Sequence, residues 1–490
     1  MASTPRQTNR AVTVIGLILA MAMGALEATV VSTAMPTVIG DLGGIELYAW
    51  VTTAYLLSSS VTVPIYGKLA DVYGRKPVLL FGITVFLIGS AASGAATSMG
   101  ALIAFRALQG LGAGAMQPIA LTVVGDIFNL EERAKMQGVF GAAWGLFGMI
   151  GPGLGGLIVK TIGWRWVFYV NLPFGVAAAA ILIFALHENV ERKQHKLDYA
   201  GAGLLMTGLT ALLLATSRAV PGIAYAALPI AGLLLTFFVV VQRKVKEPML
   251  PLALFGRRVI LIASICGAII GGAMIATLTF VPLYVQGVLH KAPTEAGTAF
   301  TPMLIGWPVA SALGGRLLQR VGFRALIRVG LGITAVAGLG LAIAGGGEIW
   351  KLQVATGAFG VGMGLSNTAL LIAVQTTVGW EQRGIATAST MFFRTIGGAL
   401  TVSIMGGVLN AVIAREPDVD PQLASRVLNP EALAHLPPEL LATVAAALSK
   451  GVGVIFWMIG GAAVISFVVS LWFPYVPIEA KKREAVVPAH

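Results

Sequence analysis

The chain has 490 residues, 57% of them hydrophobic and only 11% charged. Soluble domains carry about 25% charged residues, so a water-soluble globule is excluded and a polytopic helical membrane protein is indicated. The formal net charge of +12 fits basic loops gathered on one side of a membrane; no basic patch interleaved with aromatics points to nucleic acid.

Apolar runs predict fourteen spans, at 11–34, 48–66, 77–96, 99–124, 136–159, 167–187, 198–216, 222–242, 259–284, 295–314, 325–345, 350–375, 385–410 and 452–475. About twenty apolar residues suffice to cross a bilayer. The ten-residue alternation of an outer-membrane barrel is absent, and 61 glycines suit close helix approach in lipid.

The first run follows Arg6 and Arg10. It is too long for a removed signal and lacks a small-residue cleavage site, so it is expected to be a retained helix with its N-terminus inside. Near its outer end stands Glu27, the only charge between residues 11 and 31. An ionisable group at membrane depth costs roughly 2.5–3.5 kcal/mol on insertion scales, which makes it a functional candidate. The second span carries Trp50 and Tyr55, and a short loop after it frames Asp71, Arg75 and Lys76 between and beside Gly67 and Gly74. The fourth span holds Arg106, which shares a helical face with Gln109 or Gly110, Ala113 and Gln117. At 1.5 Å per residue, Glu27 and Arg106 reach similar depths. They form either a titratable couple or a static ion pair locking two helices.

The fifth span contains Trp144 and the run Gly151-Pro152 with Gly155 and Gly156; proline removes a backbone donor and opens the helix ladder. Later spans carry Tyr284, Gln286, Trp307, Asn367 and Gln375 as cavity candidates. Arg394 in the thirteenth span either lines the cavity or pairs with a carboxylate near the inner face, such as Asp126. The segment 411–450 is expected outside, either as a cap over the vestibule or as an inert loop. Cys266 is the single cysteine, so no internal disulfide or thiol chemistry is indicated. No phosphate-cradling Gly-x-x-x-x-Gly-Lys-Ser/Thr loop suggests ATP, and the histidines form no metal cluster.

The chain repeats itself at an offset near 250. Gly67–Lys76 matches Gly315–Arg324, Gly110-Leu-Gly-Ala-Gly114 matches Gly360-Val-Gly-Met-Gly364, and Glu131–Arg133 matches Glu381–Arg383. Two parallel six-helix halves, 11–187 and 259–475, are therefore expected, with 198–242 as an inserted pair. Features found in one half only mark candidate chemistry: Glu27, Arg106, Gly151-Pro152 and Arg394. Alternating spans from an inside N-terminus place about 23 basic residues inside and about 8 outside, so both termini are expected in the cytoplasm.

With these motifs in place, the chain resembles the fourteen-helix drug:proton antiporters (EmrB/QacA-like) of the major facilitator superfamily, from about Ala25 to the last helix. Gly67–Lys76 is similar to the superfamily's gating loop, which implies a latch between helices 2 and 11. Arg106-Ala-Leu-Gln-Gly110 is similar to the helix-4 motif linked to proton coupling. Gly151-Pro-Gly-Leu-Gly-Gly156 resembles the antiporter motif, and Gly163–Pro173 and Phe280–Gln286 resemble two further signatures. The family usually carries aspartate where Glu27 stands, so the carboxylate here is one methylene longer.

The resemblance implies an all-α major facilitator fold and a non-enzymatic, proton-coupled exporter of amphipathic, cationic drugs or other lipophilic compounds. Its energy source would be the proton gradient, with no cofactor, and its partners small lipophilic substrates, protons and membrane lipids. It would act as a monomer in the cell membrane. The rivals are a lipid or fatty-acid exporter of the same fold and a nutrient symporter; Gly151-Pro152 and the span count weigh against the symporter.

Overall fold

The computed structural model describes residues 8–128, 130–188, 198–217, 222–245, 248, 250–344, 348–378, 383–416 and 438–477. The first helix, α1 (Arg10–Leu42), forms because its apolar run meets a side-chain cap: Asn9 accepts from the Val12 amide at 3.3 Å. It runs a third longer than the expected 11–34 and stops at Gly43, where φ is 73°. There follow α2 (Tyr48–Tyr73), α3 (Arg75–Gly94), α4 (Met99–Ile127) and α5 (Leu130–Thr161). Next come α6 (Trp166–Tyr169 running into Asn171–Ala185), α7 (Tyr199–Ser217), α8 (Ile223–Lys244) and α9 (Arg258–Gly287).

The run Pro293–Ala344 is 52 residues, about 78 Å at 1.5 Å per residue, more than twice a bilayer core of about 30 Å. Gly322 interrupts it with φ 82° and ψ 163°. It is therefore two antiparallel helices, α10 (293–321) and α11 (323–344). The chain ends with α12 (Ile349–Thr377), α13 (Arg383–Ile413) and α14 (Pro438–Ser470). Among the described residues eleven continuous helices are long and apolar enough to cross a membrane, the 52-residue run that Gly322 divides being counted once. The apolar part of α7, Ala200–Thr216, is shorter. The segment 411–450 is not one loop: α13 reaches Ile413 and Pro438 opens α14, while 417–437 lies outside the described residues.

Contacts between helix ends show that successive helices run in opposite directions. At the near end, where α1 begins, the Asn9 amide donates to the Ala185 carbonyl at 3.1 Å and Lys76 Nζ to the Leu186 carbonyl at 2.8 Å. At the far end, Trp164 Nε1 donates to Asp41 at 2.8 Å.

The repeated motifs take the same conformation twice. Gly74 has φ 98° and ψ 156°, and its counterpart Gly322 has 82° and 163°; side chains rarely adopt this region, so glycine is required at both turns. The middle glycine of the second repeat also recurs as a close contact. A Cβ on Gly112 would lie 2.3 Å from the Phe86 amide nitrogen of α3. A Cβ on Gly362 would lie 2.5 Å from the Gly330 carbonyl of α11. Backbone-to-backbone packing of this kind is how helices associate in lipid.

Candidate functional site

Glu27 sits in α1 at 1% exposure, with every carboxylate oxygen engaged. Oε1 is ion-paired with Arg106 Nη1 from α4. Oε2 accepts from Asn171 Nδ2 of α6 at 2.7 Å and from Gln109 Nε2 of α4 at 2.8 Å. Arg106 also donates to Gln109 Oε1 at 2.7 Å and stacks its guanidinium 4.3 Å from the Tyr55 ring centroid. Ser90 of α3 closes the cage: its hydroxyl accepts from Asn171 at 3.1 Å and Gln109 at 3.2 Å, and donates to the Phe168 carbonyl at 2.8 Å. Asn171 Oδ1 has no hydrogen-bond partner. A buried charge of this kind is tolerable only when paired and fully hydrogen-bonded.

Gly24, one turn before Glu27, and Ala28, the residue after it, form part of the wall of a partly open central cavity of about 200 Å³. Tyr55, Gln117, Trp144 and Arg394 line it with the small and apolar residues of α1, α2, α4 and α9. A crevice of only about 10 Å³ adjoins it, lined by Trp307, Asn367 and Arg394. Trp144 and Trp307 pack edge to face, with ring centroids 5.0 Å apart. Gln117 and Ala113 thus continue the Arg106–Gln109 face of α4 from the buried cage into the cavity.

Four cavity candidates lie elsewhere. Tyr284 is buried against Phe456, with ring centroids 5.5 Å apart. Trp50 is buried among α7 and α13 side chains, because its face of α2 turns to those helices rather than inward. Gln375 donates to Thr387 at 3.3 Å at the near end. Gln286 belongs to a seal at the far end: it donates to the Thr33 carbonyl at 3.0 Å and accepts from the Thr37 hydroxyl at 3.3 Å. Tyr48 donates to the Thr279 carbonyl, and Asn410 to the Glu46 carbonyl at 2.8 Å, across the same seal.

The glycine-proline run of α5 serves two faces. A Cβ on Gly151 would lie 1.9 Å from Thr29 Oγ1 and one on Gly155 2.3 Å from Thr33 Oγ1, both on α1. On the opposite side a Cβ on Gly156 would lie 2.5 Å from Thr294 Cα, and Pro152 abuts Gly297 of α10. The described contacts of the loop's basic residues are with other elements. Arg75 pairs with Asp126 of α4 at 3.0 Å and its amide donates to Glu188, while Lys76 caps the end of α6. Arg394 therefore does not have Asp126 as its counter-ion. Gly67 is exposed near the end of α2, and Asp71 lies in its last turn with a side chain outside the described set.

Residues 17–402 match the family model described as Major Facilitator Superfamily. The chain belongs to the major facilitator superfamily. It is 40% identical over 421 residues to the multidrug transporter protein MdtP of Bacillus subtilis, covering 84% of this chain and 77% of that one. It is 35% identical over 422 residues to multidrug resistance protein 3 of the same organism, covering 84% and 82%. Among solved structures, a bacterial homologue of the human lysosomal transporter Spinster, inward-facing and unoccupied, superposes with a TM-score of 0.70 at 15% identity, over 96% of this chain and 99% of that one. This major facilitator protein is accordingly a multi-pass membrane transporter and not an enzyme.

Within the transporter, Ser90 and Asn171 are the site residues that sequence reasoning gave no role. Asn171 carried a usable signal: it is the only amide in the apolar stretch Trp166–Ala185, where an unpaired amide is costly.

Proposed function

We propose that this chain is a proton-coupled exporter of amphipathic, lipophilic compounds, an antiporter of the fourteen-helix drug:proton kind. In this reading two six-helix halves flank the inserted pair α7–α8, and both termini and the near end lie in the cytoplasm. The transporter works as a monomer in the cell membrane, driven by the proton gradient without a cofactor. The far-end seal and the mid-depth cavity then correspond to an inward-facing arrangement. The names of the relatives from Bacillus subtilis support export of varied compounds.

One observation carries the proposal. Glu27 is the acid of a buried cage shared by α1, α3, α4 and α6, one turn behind the cavity wall. Binding a proton converts its carboxylate to the neutral acid and cancels its pull on Arg106. The Gln109 and Asn171 amides suit both forms: their N–H groups donate to the carboxylate, and after rotation their carbonyls accept from the acid. Protonation thus changes how tightly α1 is tied to α4 and α6, while α1 is also the helix that seals against α9. A proton taken at this cage biases the balance between the two access states.

The test is Glu27→Gln, which keeps size and hydrogen bonding but cannot titrate. In proteoliposomes it loses uphill efflux driven by a pH gradient, with folding and insertion preserved, and Glu27→Asp retains partial activity. Wild-type substrate-dependent proton flux in Glu27→Gln would place the proton site elsewhere and leave Glu27 a structural partner of Arg106.

A further inference from the structure

Arg394 stands in α13 where it lines both cavities. Glycine makes its position possible: a Cβ on Gly271 of α9 would lie 2.4 Å from Arg394 Cγ, so the stem of the side chain crosses the α9 backbone directly. Among the described residues Arg394 makes no hydrogen bond and no ion pair. Glu27, between the wall residues Gly24 and Ala28, is committed to Arg106 and two amides. No described residue lining either cavity is an aspartate or glutamate.

A guanidinium carries five N–H donors and stays charged. Arg394 is half-buried in a lining of mostly apolar and aromatic groups, and a partly desolvated charge with no opposite charge beside it is unfavourable. The internal repeat sharpens the point. The position equivalent to Arg394 in the first half is Trp144, which lines the same cavity and supplies an apolar face. One half thus contributes a flat aromatic wall and the other a cation, a pairing suited to a molecule with an apolar body and a negative head.

We propose that the cavity takes amphipathic substrates bearing an anionic group, such as a carboxylate or sulfonate, which Arg394 meets while the body packs on Trp144 and Met274. The proposal rests on the transporter reading above and replaces the cationic substrate expected from the sequence. A lipophilic cation entering here meets one like charge and no acid.

The test compares 4-(1-pyrenyl)butyrate with 4-(1-pyrenyl)butyltrimethylammonium, which share an apolar body and differ in the sign of the head, by equilibrium dialysis on the purified full-length protein in maltoside detergent, with protein-free micelles as the blank. The wild type is expected to bind the anion at least tenfold more tightly than the cation. Arg394→Gln loses at least tenfold in anion affinity without weakening the cation, and Arg394→Lys keeps the preference. Gln117→Glu, which adds an acid at an exposed lining position, narrows the preference while leaving Arg394 in place. Equal or tighter cation binding by the wild type, absence of anion binding, or an undiminished preference in Arg394→Gln would overturn the proposal. The measurement needs no gradient. If the anion preference holds but a pH gradient moves neither ion, the export reading fails and the charge assignment stands.

Discussion

Replacing Asn171 by leucine tests whether the cage around Glu27 is an energetic unit. The Asn171 amide makes two hydrogen bonds, at 2.7 Å to the Glu27 carboxylate and at 3.1 Å to Ser90. A hydrogen bond to a charged group contributes about 1.5–3 kcal/mol and a neutral one about 0.5–1.5 kcal/mol. Leucine keeps the branched four-heavy-atom skeleton, though bulkier, and leaves Glu27 its bonds to Arg106 and Gln109, so Asn171→Leu is expected to cost about 2 kcal/mol. Arg106→Gln strands a buried carboxylate without its cation and is expected to cost about 3–5 kcal/mol. In a Glu27→Gln background the acceptor is neutral, so Asn171→Leu should cost only about 1 kcal/mol, a coupling near 1 kcal/mol. Unfolding of the purified variants in mixed dodecyl sulfate micelles, followed by circular dichroism, gives the four corners of the cycle. Equal costs of Asn171→Leu in the two backgrounds, or an Arg106→Gln no worse than Asn171→Leu, would refute the view that the cage exists to hold a charge.

Three further outcomes are expected. In a Cys266→Ala background, single cysteines at Asn9 and Tyr73 react with an impermeant maleimide from the cytoplasm, and those at Lys160 and Lys291 from outside; the reverse pattern would invert the topology. Gly156→Val places side-chain atoms where Thr294 Cα already stands, so it should separate α5 from α10 and weaken cross-linking between cysteines at Thr37 and Gln286; unchanged cross-linking would show that the far end closes without that contact. Asp71→Asn tests the gating role that the resemblance implies for this loop: a residue that sets the balance of states and not the cavity should, when changed, slow transport several-fold while leaving equilibrium ligand binding within about twofold, and equal losses in both would argue against gating.

Much of the architecture was legible because lipid imposes it. Long apolar runs must be helices, since every backbone polar group needs a partner within its own segment, and the repeat at an offset near 250 foretold that Gly74 and Gly322 would share a turn. Glu27 and Arg106 were legible as a pair because charge at depth is rare and must be matched. The lengths were less so: Gly322 hides a boundary inside continuous helical hydrogen bonding, and α1 continues past the expected 34 because Pro36 is accommodated within the helix. The cavity candidates separated only in three dimensions. Trp50, Tyr284, Gln286 and Gln375 sit on helices that also supply the lining, but a helix in a bundle of this size has several buried faces, and spacing alone does not say which of them is wet. Ser90 gave no signal, since small hydroxyl residues are common in membrane helices and bond to their own backbone, as Thr29 does here.

The seal at the far end has a consequence for energy conversion. Three of its side-chain hydrogen bonds, from Gln286, Tyr48 and Asn410, end on main-chain carbonyls of Thr33, Thr279 and Glu46. With the Thr37 hydroxyl's bond to Gln286 as the fourth, at about 1 kcal/mol each, the polar part of the closure amounts to about 4 kcal/mol. A proton crossing one pH unit releases about 1.4 kcal/mol, and crossing 100 mV a further 2.3 kcal/mol or so. Under the proton-coupled reading proposed above, the far end is latched with a strength of the same order as a single proton's driving force, so that a much stronger gate would stay shut under the gradients a cell sustains and a much weaker one would leak.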